Sequence, residues 1–193
     1  MVAIDELIFT VLTQNTSDLN AERAYDSLRK GLPTWGQVIE AETDKVAELI
    51  KHGGLSNQKS IRIQKILVEI LKRLGHFDLE FLAVKPLEET REWFISLPGV
   101  GPKTAAVVMA FSLMMPAFPV DTHIHRVSKR IGFIDEKTTA DQAHPLMEEL
   151  IPEDDRYAMH VLLITHGRQI CKARIPQCVR CTLASHCPAS TAK

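Results

Sequence analysis

Leu97-Pro98-Gly99-Val100-Gly101-Pro102-Lys103-Thr104-Ala105 reads as a very tight turn between two helices, and the rest of the chain fits around it. Gly99 and Gly101 permit backbone shapes and close approaches that a side chain forbids. Pro102 supplies no N–H, so any amide donors there must come from its neighbours. The amides that open the second helix have no partner within it, and the helix dipole adds positive potential there, so the turn favours an anion. A nucleic-acid phosphate satisfies that requirement without any base contact. As a bare glycine pattern the motif is equally a plain helix–turn–helix connector, whereas the full Leu-Pro-Gly-Val-Gly run opening directly into a helix is far more specific.

Outward from the turn, apolar residues recur at helical period. Ile4, Leu7, Ile8, Val11 and Leu12 form one stripe, and Ile61, Ile66, Leu67, Ile70, Leu71 and Leu74 form another that stops at Gly75. Thr34 and Gln37 have capping-box spacing. Further helices are expected over 43–51, from Pro86 to about Ser96, and over 103–113, 121–131 and 156–170. Pro145 interrupts the stretch from Thr139 to Leu150, which makes a helix there the weakest of the set. Strand alternation is absent, so the chain reads as all-α apart from a terminal loop. Met115-Pro116-Ala117-Phe118-Pro119 can continue neither neighbouring helix and marks a domain crossing. The expected domains are residues 1–115 and 116–193.

The terminal loop holds every cysteine of the chain, Cys171, Cys178, Cys181 and Cys187, spaced C-x6-C-x2-C-x5-C. Four thiolates suit either a tetrahedral zinc ion or a [4Fe–4S] cluster. Only Cys178 and Cys181 form a close pair, which leans the spacing towards iron–sulfur without settling it. Paired disulfides compete, but they need an oxidising compartment, and Met1-Val2-Ala3-Ile4-Asp5 has no signal-peptide character. With 193 residues, 45% hydrophobic, the chain can bury a real core, and no apolar run reaches the ~20 residues of a membrane span. A net charge of −1 does not advertise nucleic-acid binding. Its distribution is uneven, however. Acids crowd residues 135–155, while no acid follows His160 and Lys172, Arg174 and Arg180 lie in or beside the cysteine loop.

Two further residues carry chemical promise. Lys103 falls in the first turn of the helix after the hairpin, where the positive helix end and partial burial disfavour the ammonium form. The free amine is what a Schiff-base nucleophile requires, although from position alone a plain surface lysine is the favoured reading. Asp121, in Pro119-Val120-Asp121-Thr122-His123, stands where an N-cap is needed, and a cap would also fix its carboxylate. His123 reads as a packing or hydrogen-bonding residue rather than a catalytic one.

The hairpin of residues 97–105, the run Val120-Asp121-Thr122-His123-Ile124-His125-Arg126-Val127 and the four-cysteine loop, in this order, resemble the endonuclease III family of helix-hairpin-helix DNA glycosylases. The resemblance spans about residue 4 to residue 188. It implies an all-α fold: a helical barrel domain with the helix-hairpin-helix motif, then a helical iron–sulfur cluster domain, with the active site in the cleft between them. It also implies a [4Fe–4S] cluster on Cys171, Cys178, Cys181 and Cys187. The partner it implies is double-stranded DNA containing a damaged base or an abasic site, bound by a monomer in the cytoplasm or nucleoid with no membrane involved. Gly99, Val100 and Gly101 would grip the backbone together with Lys103.

The activity implied is that of a bifunctional glycosylase and AP lyase, in which Lys103 attacks the sugar and Asp121 assists it. Family members without the lysine usually activate water and only release the base. Asn15 and Leu55 match positions that fill the gap left by a flipped base, one as a polar plug and the other as an apolar wedge. On their own they read as a helix cap and a core leucine. Members most like bacterial endonuclease III often carry glutamine where Asn15 stands, and Gln14-Asn15-Thr16-Ser17-Asp18 is also similar to a run in plant 5-methylcytosine glycosylases. Family members usually carry further residues ahead of the first barrel helix. Excision of oxidised pyrimidines with strand cleavage leads the functional readings. Another lesion, such as a mismatched or modified base, is the near alternative. A non-catalytic cluster-bearing DNA-binding module and a zinc-stabilised adaptor are the distant ones.

Overall fold

The computed structural model describes residues 1–192. Among them are ten α-helices, several short 3-10 turns and no strand, which is the all-α class expected. None of the helices is long and apolar enough to cross a membrane. The chain divides into two compact units, Met1–Met115 and a second that begins at Pro116.

The first unit contains α1 (Ala3–Thr13), α2 (Asp18–Gly31), α3 (Trp35–Glu40), α4 (Thr43–Leu49), α5 (Ser56–Leu74), α6 (Leu87–Ile95) and α7 (Pro102–Phe111). The hairpin helix α7 is buried over half its length, at Thr104, Ala105, Ala106, Val108 and Met109. Its small residues let α1 lie directly against it, and α6 packs on it as well. The face that α1 turns inward is Leu7, Ile8, Val11 and Leu12, as its period requires. Thr34 and Gln37 form the expected capping box: Gln37 N–H donates to Thr34 Oγ1 at 3.2 Å, and Thr34 N–H to Gln37 Oε1 at 3.0 Å. The helix foreseen over 43–51 ends at Leu49 and passes into a 3-10 turn at Lys51–Gly53, and Pro86 is the N-cap of α6 rather than its first residue.

The stripe expected on α5 needs correction. Ile61 and Leu71 are exposed, and the buried face is Lys59, Ser60, Ile63, Ile66, Leu67 and Ile70. The true face begins on a lysine, so an apolar pattern counted from isoleucine falls out of phase. Helix α2 carries no conspicuous stripe because its core contacts are Ala21, Ala24 and Leu28. Ser17 caps it by accepting from Asn20 N–H at 3.3 Å.

In the second unit, α8 (Thr122–Ile131), α9 (Ala140–Leu150) and α10 (Arg156–Gln169) enclose a core of Phe118, Val120, Ile124, Val127, Ala143, Met147 and Leu163. Helix α8 crosses α10 at Gly167, where a Cβ would stand 3.0 Å from His123 Cβ and 3.1 Å from Val127 Cγ2. Glycine is needed there for close approach. Pro145 does not break α9, which runs through it. The lost hydrogen bond is offset by a capping box at Thr139 and Gln142, with bonds of 3.3 and 3.0 Å, and by burial of Ala143, His144, Met147 and Glu148.

Thr139→Ala should therefore cost about 1 kcal/mol of unfolding free energy, the usual value of an N-cap hydroxyl. Urea denaturation with an unchanged slope would show it. No measurable cost would mean that core packing alone carries the helix past its proline.

Candidate DNA-repair site

Helix α7 starts at Pro102 with Gly101 as its N-cap, and no side chain caps it. The first helical bond runs from Ala105 N–H to Gly101 O at 3.0 Å. The amides of Lys103 and Thr104 therefore have no carbonyl to meet inside the helix. Gly99 turns the chain with φ +77°, and a Cβ there would meet Arg62 Nε at 2.8 Å and Cδ at 2.9 Å. Val100 is buried and pins the turn, its N–H donating to Leu97 O at 3.2 Å. Lys103 follows on the outside of the first turn. Its side chain is exposed, so the partial burial expected from the sequence is absent.

Asn15 and Leu55 share an uncommon backbone. Both lie in the left-handed region, with φ +56° and φ +49°, and neither is glycine. For an L-residue that conformation costs roughly 1–2 kcal/mol, less for asparagine. Such strain persists only where the surroundings over-determine it. Leu55 is 50% exposed, so the sequence reading of a core leucine does not hold.

The surroundings that hold these turns were invisible in the sequence. Lys59 is 2% exposed, and its Nζ donates to Leu12 O at 2.7 Å and to Gly53 O at 2.8 Å. Those carbonyls sit just ahead of Asn15 and Leu55. One turn of α5 further on, Arg62 Nη1 donates to Gln14 Oε1 at 2.5 Å, and Gln14 Nε2 donates to Thr104 Oγ1 at 3.4 Å. Gln14 thus connects the Asn15 turn to the helix of Lys103, while Arg62 also lies against Gly99. Burial, then the neighbouring Arg62 charge, lowers the Lys59 pKa to about 8. No apolar or motif signal marks Lys59 or Arg62, and the run that begins with Gln14 does not reveal this bridge; only contacts far apart in sequence do.

In the second unit Asp121 caps α8, its Oδ1 accepting from Ile124 N–H at 2.7 Å. The extended stretch before it is gripped by polar side chains. Phe118 N–H donates to Glu148 Oε1 at 2.8 Å, and His160 Nδ1 lies 3.0 Å from Pro119 O. His144 Nδ1 lies 3.1 Å from Phe118 O and 3.3 Å from Val120 N. Protonated, that nitrogen donates to the carbonyl; unprotonated, it accepts from the amide. His123 packs beside Gly167, in keeping with the packing role expected.

The helix begun by Asp121 also anchors the cysteine loop. Arg126 Nε donates to Cys171 O at 3.1 Å and Arg126 Nη2 to Gly167 O at 2.9 Å. Arg130 Nη1 donates to Lys172 O at 2.7 Å and lies 3.4 Å from Cys171 Sγ. Cys171, Cys178, Cys181 and Cys187 are free thiols lining one pocket, with no disulfide between them. Among the described residues, however, no three His, Cys, Asp or Glu side chains gather tightly enough to hold a metal ion. The four thiols share the wall of one pocket without converging on one point. Hydrogen bonding from Thr191 lowers the Cys178 thiol pKa, and burial lowers that of His166, whose Nε2 lies 3.7 Å from Cys181 Sγ. Lys172, Arg174 and Arg180 are exposed around the loop.

A family model described as HhH-GPD superfamily base excision DNA repair protein matches residues 8–153. The chain is 34% identical over 181 residues to Endonuclease III of Thermotoga maritima, covering 94% of this chain and 80% of that protein. It is 33% identical over 165 residues to a putative DNA glycosylase of Arabidopsis thaliana; this covers 86% of the chain but only 56% of the relative, so the chain spans little more than half of that protein's length. Among solved structures, an Endonuclease III–DNA covalent intermediate trapped as an estranged-adenine complex superposes with a TM-score of 0.85 at 30% identity, covering 98% of this chain and 84% of that one. The chain belongs to the HhH-GPD superfamily of base-excision DNA repair proteins.

Lys59 gives up its proton more readily in the folded protein than in the unfolded chain. Between pH ~8 and the ordinary lysine value near 10.4 the unfolded chain binds more protons, so this group's contribution to stability rises with pH across that window and is lost as pH falls through about 8. A neutral amine still has two N–H donors, enough for both carbonyls. The unfolding free energy of the wild type should gain on that of Lys59→Met as pH is raised from about 7.5 to about 10. A difference that stays flat would mean the buried amine titrates as it does in the unfolded chain.

Proposed function

We propose that this member of the HhH-GPD superfamily is a bifunctional DNA glycosylase and AP lyase that excises oxidised pyrimidines and nicks the strand by β-elimination. The observation that carries the reading is an exposed lysine, Lys103, one residue into the helix that the glycine hairpin opens. Unpaired amides at that helix start favour a DNA phosphate, and the exposed lysine beside them is free to reach for a sugar of the same strand. The family relationship supplies the class of reaction; the residue supplies the lyase half.

The damaged nucleotide leaves the stack before it reacts. Lys103 sheds its ammonium proton with the assistance of Asp121, and the free amine attacks the sugar C1′. The C1′–N bond to the base breaks, and the base leaves with that electron pair and takes up the proton removed with the help of Asp121, which is then a carboxylate again. One proton of the new secondary ammonium passes to O4′ as the ring C1′–O4′ bond opens, leaving an iminium between Lys103 and C1′. Its positive charge acidifies the C2′ hydrogen. Loss of that proton drives out the 3′ phosphate, cutting the strand, and water finally releases the lysine. The Asp121 carboxylate, held by the Ile124 amide, stabilises the positive charge that develops on the sugar.

Four free thiols around one pocket suit a [4Fe–4S] cluster better than zinc. Zinc draws four ligands to about 2.3 Å from one point, whereas a cluster of eight atoms holds its thiolates apart around its own bulk. Cys171, Cys178, Cys181 and Cys187 would hold it, and Arg130 would offer a hydrogen bond at Cys171. When bound, the cluster stiffens the basic loop for backbone contact and takes no part in the chemistry. Asn15 and Leu55 plug and wedge the space vacated by the flipped nucleotide, offsetting part of the few kcal/mol spent on unstacking.

Borohydride should reduce the iminium and leave the protein covalently attached to lesion-bearing DNA. Lys103→Gln should abolish trapping and nicking while DNA binding persists, since the hairpin amides are unchanged. Asp121→Asn should slow base release more than cleavage at a pre-formed abasic site. Trapping that survives Lys103→Gln would assign the nucleophile to another amine. Lys59 is no candidate, because its amine is buried on two carbonyls.

Protein purified anaerobically should be brown, absorb broadly near ~400 nm and contain iron and sulfide, as thiolate-ligated clusters do. Stoichiometric zinc with no iron would replace the cluster with a structural zinc site.

A further inference from the structure

We propose that Lys59 is a positioning residue that locks the Asn15 and Leu55 turns into one rigid unit for extruding the target nucleotide, an inference that rests on the glycosylase reading above. Its ammonium reaches the carbonyl of Leu12, at the end of α1, and that of Gly53, in the turn before α5. These two segments are far apart in sequence and each runs on, within three residues, to a non-glycine residue of positive φ.

A core lysine on an apolar helix face is a poor choice for stability alone. Its amine is 2% exposed with its residue, and both of its partners are backbone carbonyls, so it brings a cation into the interior without an opposite charge to offset the desolvation. Methionine would fill nearly the same space at less cost. What methionine lacks is the ability to bond two carbonyls at once. The carbonyl of Leu12 is among those a helix leaves unpaired at its C-terminus, and Gly53 O belongs to a short 3-10 turn. A single three-donor group satisfies both and sets the distance between them. Leu55 N-caps α5 without a side-chain bond of its own, while Lys59 N–H closes the first turn on Leu55 O at 2.9 Å. Lys59 therefore holds Leu55 through its main chain and both turns through its side chain.

A wedge driven between base pairs meets resistance, and a soft turn would yield before the stack did. Lys59 touches neither DNA nor sugar in this arrangement; it acts through Leu55 and Asn15. Arg62 makes the companion link from Gln14 to the hairpin, so the extrusion unit is tied to the segment that grips the backbone.

The test uses the full chain and a duplex with 2-aminopurine opposite a tetrahydrofuran abasic analogue, which reports wedge entry without chemistry. Wild-type protein should raise the fluorescence on binding, and Leu55→Ala should lose most of the rise. Lys59→Met should lose about fivefold or more of it while the Kd for the same duplex moves less than about threefold, because the hairpin is untouched. The double variant should be no worse than Leu55→Ala alone, since one residue acts through the other. Hydrogen exchange on the free Lys59→Met protein should quicken in residues 13–16 and 53–56 together. If Lys59→Met does not fold, Lys59→Gln takes its place in the same cycle. Losses that multiply in the double variant, or exchange that quickens everywhere equally, would reduce Lys59 to general packing and overturn the proposal. Full wild-type signal from Lys59→Met would overturn it too. A wild-type protein that never raises the signal would instead sink the extrusion reading under Proposed function.

Discussion

A buried lysine amine shared by two backbone carbonyls is the interaction on which the first unit's working face depends. It joins the end of α1 to the turn before α5, and both places then carry a residue in left-handed backbone. Neither turn could hold that shape by local preference. Leucine disfavours it outright, and asparagine only tolerates it. The conformation survives because Lys59, Arg62 and Gln14 fix the backbone on either side and connect it to the helix of Lys103. A desolvation penalty in the core is thereby converted into precise placement at the surface.

The second unit solves a comparable problem with arginine and histidine. Asp121 is fixed at the start of α8 by a 2.7 Å bond from the Ile124 amide. The stretch before it would leave polar backbone groups stranded in a hydrophobic core. Glu148, His144 and His160 meet those groups from α9 and α10, and so the intact helix through Pro145 matters to the site. Further along α8, Arg126 and Arg130 reach the cysteine loop. One helix therefore sets both the aspartate and the first cysteine, and its close crossing of α10 depends on the missing Cβ of Gly167.

What was legible in the sequence was local. The hairpin glycines, the Thr34–Gln37 box and the Asp121 cap all rely on residues within a few positions of each other, and each was where its spacing implied. The α5 stripe was misread because its inward face opens with Lys59, a residue type that periodicity counts as polar. Helix α2 escaped notice because two of its three core contacts are alanines. The expected partial burial of Lys103 failed for a related reason: position in a first turn says which way a helix dipole points but not what covers the side chain.

The sequence by itself determined the all-α class and the order of the motifs, because capping, helical period and glycine turns are short-range properties of a chain. Only the tertiary structure decided that a lysine lies in the core, that Asn15 and Leu55 take up strained backbone, and that two arginines of α8 secure the cysteine loop. Each of those depends on partners dozens of residues away, such as Leu12 and Lys59 or Arg130 and Lys172. A hydrogen bond between distant segments leaves no periodic trace, since the acceptor is a backbone carbonyl that every residue possesses. Its existence is settled when the helices pack, and by nothing nearer.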